Sequence, residues 1–259
     1  FNGINKLYAI RNLSPLIIGI AKDGLFLASD VPAILNYTKD YFLLENNDIC
    51  ELDMNKYYVI HDNKEIKKNI LKYDDIINNP YKDGYKHYML KEINEEPLVV
   101  NNLISIILNQ KTIDLKKYDN IQIVACGSAY HAGLVGKYLI EEYLNIKVDC
   151  YLASEYRYGK VFYNDKTLFI AISQSGETAD TIAALKLAKS KGAKTLAISN
   201  VIGSSITREA DFCIYTKAGP EIAVASTKAY TAQVVMLSIL AMYFSEVLEL
   251  KNNKKEAEI

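Results

Sequence analysis

Five short apolar runs, spaced by polar turns and stretches of helical period, constrain this chain more than any other feature. They are Ile121–Cys126, Val148–Leu152, Thr167–Ser173, Lys194–Asn200 and Phe212–Thr216. Near-continuous apolar runs of this length read as strands buried on both faces. Helical patterns over 128–143, 177–191 and 223–248, with a short turn of helix near 204–208, provide the crossovers. The alternation predicts an α/β unit, a five-stranded parallel sheet with helices on both faces. Ligands bind such sheets at the carboxyl ends of the strands, so the turns that follow the runs are where function is to be sought.

Three of those turns are polar. The first run ends in Cys126-Gly127-Ser128-Ala129 and the fourth in Asn200-Val201-Ile202-Gly203-Ser204-Ser205. The third is the richest: Ser173-Gln174-Ser175-Gly176-Glu177-Thr178. A helix start offers backbone N–H groups without intrahelical acceptors and the positive end of a dipole. Three hydroxyls, an amide and a glycine at that point suit a phosphate monoester. The local alternative is a helix cap by Ser175 or Thr178, with Glu177 as a first-turn carboxylate. A nucleophile elbow requires G-x-S-x-G, and Ser173 stands where its first glycine belongs. No G-x-x-x-x-G-K-[ST] loop occurs, so a phosphate on a small metabolite fits better than a nucleotide. Before the last helix, Ser226 and Lys228 are two residues apart and share no helix face. This stretch reads as a loop closing over the ligand, with Lys228 supplying positive charge or a structural ion pair.

The front of the chain has another rhythm. Leu16–Ile20 and Leu25–Ser29 read as a hairpin about Asp23-Gly24, followed by a short helix over Val31–Leu35. Tyr41–Leu44, Ile49–Leu52 and Tyr57–Ile60 continue an antiparallel pattern. Residues 61–91 are lysine-rich and read as a solvated connector. An amphipathic pattern starts near Tyr88 and resumes after Pro97 through Leu108, as one or two helices. The sequence opens at Phe1 in mid-pattern and reads as a piece of a longer chain. A net charge of −1 gives no reason to expect nucleic acid or an anionic membrane as partner. Cys50, Cys126, Cys150 and Cys213 form no C-x-x-C and read as free thiols in a reducing, cytoplasmic compartment. His61, His87 and His131 are scattered, so no zinc site is expected. No apolar run reaches membrane-spanning length, and no signal peptide is visible.

Taken together, the turns resemble those of one family. His87–Ile93, Ala125-Cys126-Gly127, Ser173–Thr178 with Ala179-Asp180-Thr181, Asn200–Ser205 and Glu221–Ala229 are similar to the glutamine–fructose-6-phosphate aminotransferases, isomerising enzymes that make glucosamine 6-phosphate. The serine-rich turn alone indicates only a sugar isomerase (SIS) domain. The resemblance covers the whole chain. It implies that residues 1–60 are the C-terminal part of an Ntn-type glutaminase (type 2 amidotransferase) domain and 61–98 a linker. It implies further that 99–252 are the first of two SIS domains and 253–259 the start of a connector to the second. Sugar-phosphate contacts are implied at Ser128, Ala129, Ser173, Gln174, Ser175 and Thr178, with Val224 and Ser226 near the sugar. No position matches the family's cysteine nucleophile, or the glutamate, histidine and lysine of its second SIS domain. No catalytic residue is therefore expected here, and the chain alone is expected to turn over neither glutamine nor the sugar. The implied partners are fructose 6-phosphate, glucosamine 6-phosphate and a second copy joined through the SIS region; no metal, pyridoxal phosphate or nucleotide is implied. The chain departs from the family at Ser128-Ala129, where Thr-Ser is usual, and at Glu95-Glu96-Pro97, where Glu-Gln-Pro is favoured. Two other readings fit the turns: a non-catalytic SIS module that senses a phosphosugar, and a stand-alone phosphosugar isomerase with Glu177 as base.

Overall fold

The computed structural model describes residues 6–12, 15–29, 31–54, 56–73, 82–107 and 118–247. The expectations placed on Phe1, Leu108 and 253–259 lie outside these residues. The chain divides into two compact units, Phe1–Tyr81 and Lys82–Ile259.

The first unit is antiparallel. Its strands are β1 (Leu7–Ile10), β2 (Ile17–Ile20), β3 (Leu25–Ala28), β4 (Asp40–Leu43), β5 (Ile49–Asp53), β6 (Lys56–His61), β7 (Lys64–Ile66) and β8 (Leu71–Lys72), with a 3-10 turn over Pro32–Ile34. They form two four-stranded sheets, ordered β1-β5-β6-β7 and β3-β2-β4-β8. Ala9, Ile18, Phe42, Leu44, Cys50, Leu52 and Val59 make the core. The lysine-rich stretch expected to be a solvated connector is mostly exposed over 61–73, and there it carries the unexpected β7 and β8. Asp62 and Asn63, at φ of +48° and +60°, turn β6 back into β7, the left-handed pair that a two-residue hairpin requires. Lys68 also reaches inward, with Nζ 2.6 Å from Oδ2 of the fully buried Asp48, and His61 Nδ1 lies 2.7 Å from Oδ1 of the same carboxylate.

The second unit runs α1 (Tyr88–Ile107), β9 (Asn120–Ala125), α2 (Gly127–Leu144), β10 (Lys147–Leu152), α3 (Ala153–Tyr156), β11 (Thr167–Ser173), α4 (Ala179–Ser190), β12 (Lys194–Ser199), α5 (Ser205–Glu209), β13 (Phe212–Tyr215) and α6 (Lys228–Val247). The strands pair in parallel in the order β10-β9-β11-β12-β13. Alternate strand residues face opposite sides. Ile121, Ile123, Leu168, Ile170, Ile172, Leu196, Ile198 and Ile214 join residues of α1, α2 and α6 in one core. Val124, Phe169, Ala171 and Ala197 join residues of α3, α4 and α5 in another. Every residue of β11 is buried, as expected for the middle strand of such a sandwich. A Cβ on Gly136 of α2 would come within 2.7 Å of Leu237 of α6, so the glycine lets these helices approach closely.

α1 is one helix that passes through the exposed Pro97. Its first half is turned inside out. Lys91 and Glu92 are buried, while Met89, Leu90, Ile93 and Leu98 are exposed. All four cysteines are free, and burial pushes the thiols of Cys50 and Cys150 up to about 11. No helix among the described residues is long and apolar enough to cross a membrane.

Candidate functional site

The strand order reverses direction at β9. The crossover from β9 goes outward to β10, and the chain then returns to β11 on the other side of β9 before continuing to β12 and β13. Turns leaving β9 and β11 diverge, which opens a crevice at the carboxyl ends of those strands. The last paired residues there are Ala125 and Ile172. Ser128 and Ala129 follow on one side, and Ser173, Gln174, Ser175 and Thr178 on the other. Thr181 Oγ1 donates to Cys126 Sγ at 3.8 Å, so the two sides are in direct contact.

The turn after β11 is held in shape by its own serines. Gly176 N–H donates to Ser173 Oγ at 3.0 Å, and Glu177 N–H donates to Ser175 Oγ at 3.2 Å. Ser173 is buried, whereas Gln174, Ser175 and Thr178 are half-buried. Gly176 has φ of +66°, and a Cβ there would lie 2.0 Å from Ser204 Oγ. The close neighbour that demands glycine is thus the turn after β12. That second turn braces the first: Asn200 N–H donates to Gln174 O at 3.1 Å, and Ile206 N–H to Gly176 O at 3.0 Å. Ser199, Ser204 and Thr207 are buried, their hydroxyls 3.3–3.4 Å apart.

Two sequence expectations change here. Thr178 occupies the N-cap position of α4, but its side chain makes no capping bond; its hydroxyl lies 3.1 Å from Ser173 Oγ. Glu177 precedes α4 and is not a first-turn carboxylate; its Oε1 accepts the Ser205 N–H at 2.8 Å, tying the two turns together. No side chain caps α2 either. Two helices of 18 and 12 residues therefore open at the crevice without side-chain caps. Orphan N–H groups, a dipole end and nearby hydroxyls make a place for an anion.

Val224 and Ser226 belong to a different anchorage. Their loop follows β13, and the last helix starts at Lys228, later than the expected 223. The delay has a cause: Glu221 Oε1 accepts the N–H groups of Thr227 and Ala229 at 2.8 and 3.1 Å, and Oε2 accepts the Ser226 hydroxyl at 2.8 Å. Lys228 is 4% exposed and its Nζ donates to Glu95 Oε2 at 2.6 Å. Of the two roles open to it, the structural ion pair is the one observed. Val224 is fully exposed at the loop's tip. Sequence reasoning missed the anchors Glu92, Glu95 and Glu221. Glu92 and Glu221 lie in stretches that carry the family resemblance, but no local pattern assigns them a role. Among the described residues no three His, Cys, Asp or Glu side chains gather as metal ligands.

The architecture and the crevice define a class, and the comparisons agree with it. The SIS domain profile matches residues 114–243, and the chain belongs to the SIS-domain family. Over 98% of its length it is 47% identical to the glutamine–fructose-6-phosphate aminotransferase (isomerizing) of Clostridium tetani, and 44% identical to that of Clostridium perfringens. It spans 44% and 43% of those two proteins, less than half of each. Among solved structures it matches the C-terminal domain of glucosamine-fructose-6-phosphate aminotransferase from Francisella tularensis. That match has a TM-score of 0.64 and 42% identity, and covers 69% of this chain and 53% of the other.

Proposed function

We propose that this chain is the sugar-phosphate-binding part of a glutamine-dependent aminotransferase that converts fructose 6-phosphate and glutamine to glucosamine 6-phosphate and glutamate. The observation that carries the reading is the crevice at the switch point, where α2 and α4 begin without side-chain caps. The likeness to the aminotransferases selects the sugar phosphate among possible anions. Ser173, Ser175 and Thr178 donate to phosphate oxygens, and the start of α4 adds its dipole. Ser128 and Ala129 close the other side, Gln174 orients the sugar, and Val224 and Ser226 cover it. These groups bind and orient; proton transfer on the sugar falls to residues outside this sequence. The antiparallel first unit is the glutaminase side of the same cytoplasmic enzyme. Two copies associate through the SIS unit, a reading supported by the exposed Tyr138 of α2 and Met242 of α6.

Titration of the chain by NMR tests the reading. Fructose 6-phosphate shifts the amide signals of 127–129 and 173–181, inorganic phosphate shifts the same amides and competes, and unphosphorylated fructose does neither. Fructose binding as well as its phosphate ester, or no response at 173–181, would refute it.

A further inference from the structure

Glu92 is a buried carboxylate of the second unit. It is 2% exposed, and it sits on α1, far along the chain from the crevice turns. Its Oε1 accepts two backbone N–H groups of the loop before α6, from Ile222 at 2.6 Å and from Ala223 at 3.1 Å. Its Oε2 is buried without a hydrogen-bond partner among the described residues. A buried carboxyl oxygen without a partner costs free energy, so these contacts are weak evidence for a stabilising role. What it does accomplish is geometric. The two residues it grips immediately precede Val224, which is fully exposed. On the far side of Val224, Glu221 grips Ser226, Thr227 and Ala229. The Lys228–Glu95 bond fixes the start of α6 to the same helix as Glu92, one turn further along. The loop is thus clamped at both flanks by carboxylates, while its tip is left in solvent.

We infer that Glu92 is a positioning residue: it presets the 222–226 loop so that Val224 and Ser226 meet the sugar ring, and it has no part in holding the phosphate. The inference rests on the proposed sugar-phosphate site. Its consequence is a split between two ligands that share the phosphate. A preset loop spares the ligand the cost of ordering it. Releasing the loop therefore weakens binding of the ligand that needs the loop, and leaves the other alone.

The test compares fructose 6-phosphate with inorganic phosphate, using NMR titration of the 259-residue chain. Glu92→Met keeps the length of the side chain and removes the acceptor; Glu92→Gln keeps an amide oxygen that accepts both N–H groups. Glu92→Met is expected to weaken fructose 6-phosphate binding about tenfold while phosphate affinity stays within about twofold, and Glu92→Gln is expected to restore most of the loss. Equal losses for both ligands, or none for either, overturn the inference while leaving the site itself standing. If Glu92→Met does not fold, the wild-type chain still decides. The amides of Ile222 and Ala223 shift with fructose 6-phosphate and stay still with inorganic phosphate. Silence at those amides, with shifts present at 173–181, overturns the inference; silence at both places overturns the site and the inference together.

Discussion

The two ends of the parallel sheet use the same kinds of residue for opposite purposes. At the amino ends of the strands, polar side chains close on one another. Asp211 Oδ2 accepts both the N–H and the hydroxyl of Thr195 at 2.9 Å, and Thr195 Oγ1 accepts the Asp211 N–H at 2.9 Å in return. Asn164 and Thr167 make a similar pair, at 2.8 and 3.1 Å. At the carboxyl ends, hydroxyls approach one another at 3.1–3.4 Å, and α2 and α4 begin without side-chain caps. One end spends its hydrogen-bonding capacity on the fold, and the other holds a turn in shape while leaving helix N–H groups for something else. Abundance of Ser and Thr therefore does not mark a site; here the difference lies in the helix N–H groups that no side chain caps.

The largest expected effect belongs to Gly176→Ala. A left-handed φ of +66° and a Cβ 2.0 Å from Ser204 Oγ together should cost about 3 kcal/mol of stability. Urea unfolding measures it, and a loss under about 1 kcal/mol would mean that the two turns are not braced against each other. Next come Ser175→Ala and Thr178→Ala at the open end. Each should weaken fructose 6-phosphate binding by on the order of 1.5–3 kcal/mol, roughly ten- to hundredfold, while stability falls by about 1 kcal/mol or less, the worth of one hydrogen bond within the turn. Calorimetry beside urea unfolding separates the two quantities. The reverse pattern, unchanged binding with a larger loss of stability, would make these hydroxyls braces of the turn and no part of the site.

Thr195→Val, at the closed end, should do the opposite. It removes a hydroxyl that both donates and accepts, at a cost of about 1–2 kcal/mol of stability, and leaves the sugar affinity unchanged. A drop in affinity would erase the distinction between the ends. The smallest effect is a pH dependence at Asp211. Burial pushes its carboxyl up, but the Thr195 N–H and hydroxyl, with Lys189 and Lys194, outweigh burial and hold it below its ordinary value. A carboxylate lowered in the folded state stabilises above its unfolded pKa of about 3.9, and that contribution fades as pH falls through the folded value. The stability advantage of wild type over Asp211→Asn should therefore shrink between about pH 5 and pH 3. A constant difference across that range would contradict the assignment.

Much of the second unit was legible because its signals are local. A strand buried on both faces must be apolar at every position, as β11 is, and a parallel neighbour requires a helix between. The turns of the crevice followed from the same logic, since they had to lie at the ends of those strands. What stayed hidden was non-local or inverted. Four-residue α3 is too short for any period to show. β7 is one short edge strand, and its Lys64 and Glu65 read as part of a solvated connector until Asp62 and Asn63 are seen to turn the chain. α1 buries charge and exposes Met89, Leu90, Ile93 and Leu98, so a rule that places apolar residues inward reads its first half backwards. The grip of Glu92 on Ile222 and Ala223 joins α1 to a distant loop, and no periodicity carries such a contact.

Asn200 extends the sheet by imitation. The β12–β13 ladder ends at Ser199 and Tyr215, with one further bond from Thr216 N–H to Ser199 O. Beyond it Lys217 bends through φ of +47°, and the Asn200 side chain takes over. Its Oδ1 accepts the Ala218 N–H at 2.7 Å, and its Nδ2 donates to Gly219 O at 2.6 Å. A side-chain amide here supplies the acceptor and the donor that backbone would otherwise supply, and so fixes where the chain leaves the sheet for the 219–227 loop. The imitation depends on one atom. Deamidation of Asn200 would preserve its shape, volume and acceptor, yet turn a carboxylate oxygen toward the Gly219 carbonyl. The exit of the loop is thus sensitive to a chemical change too small for packing to register.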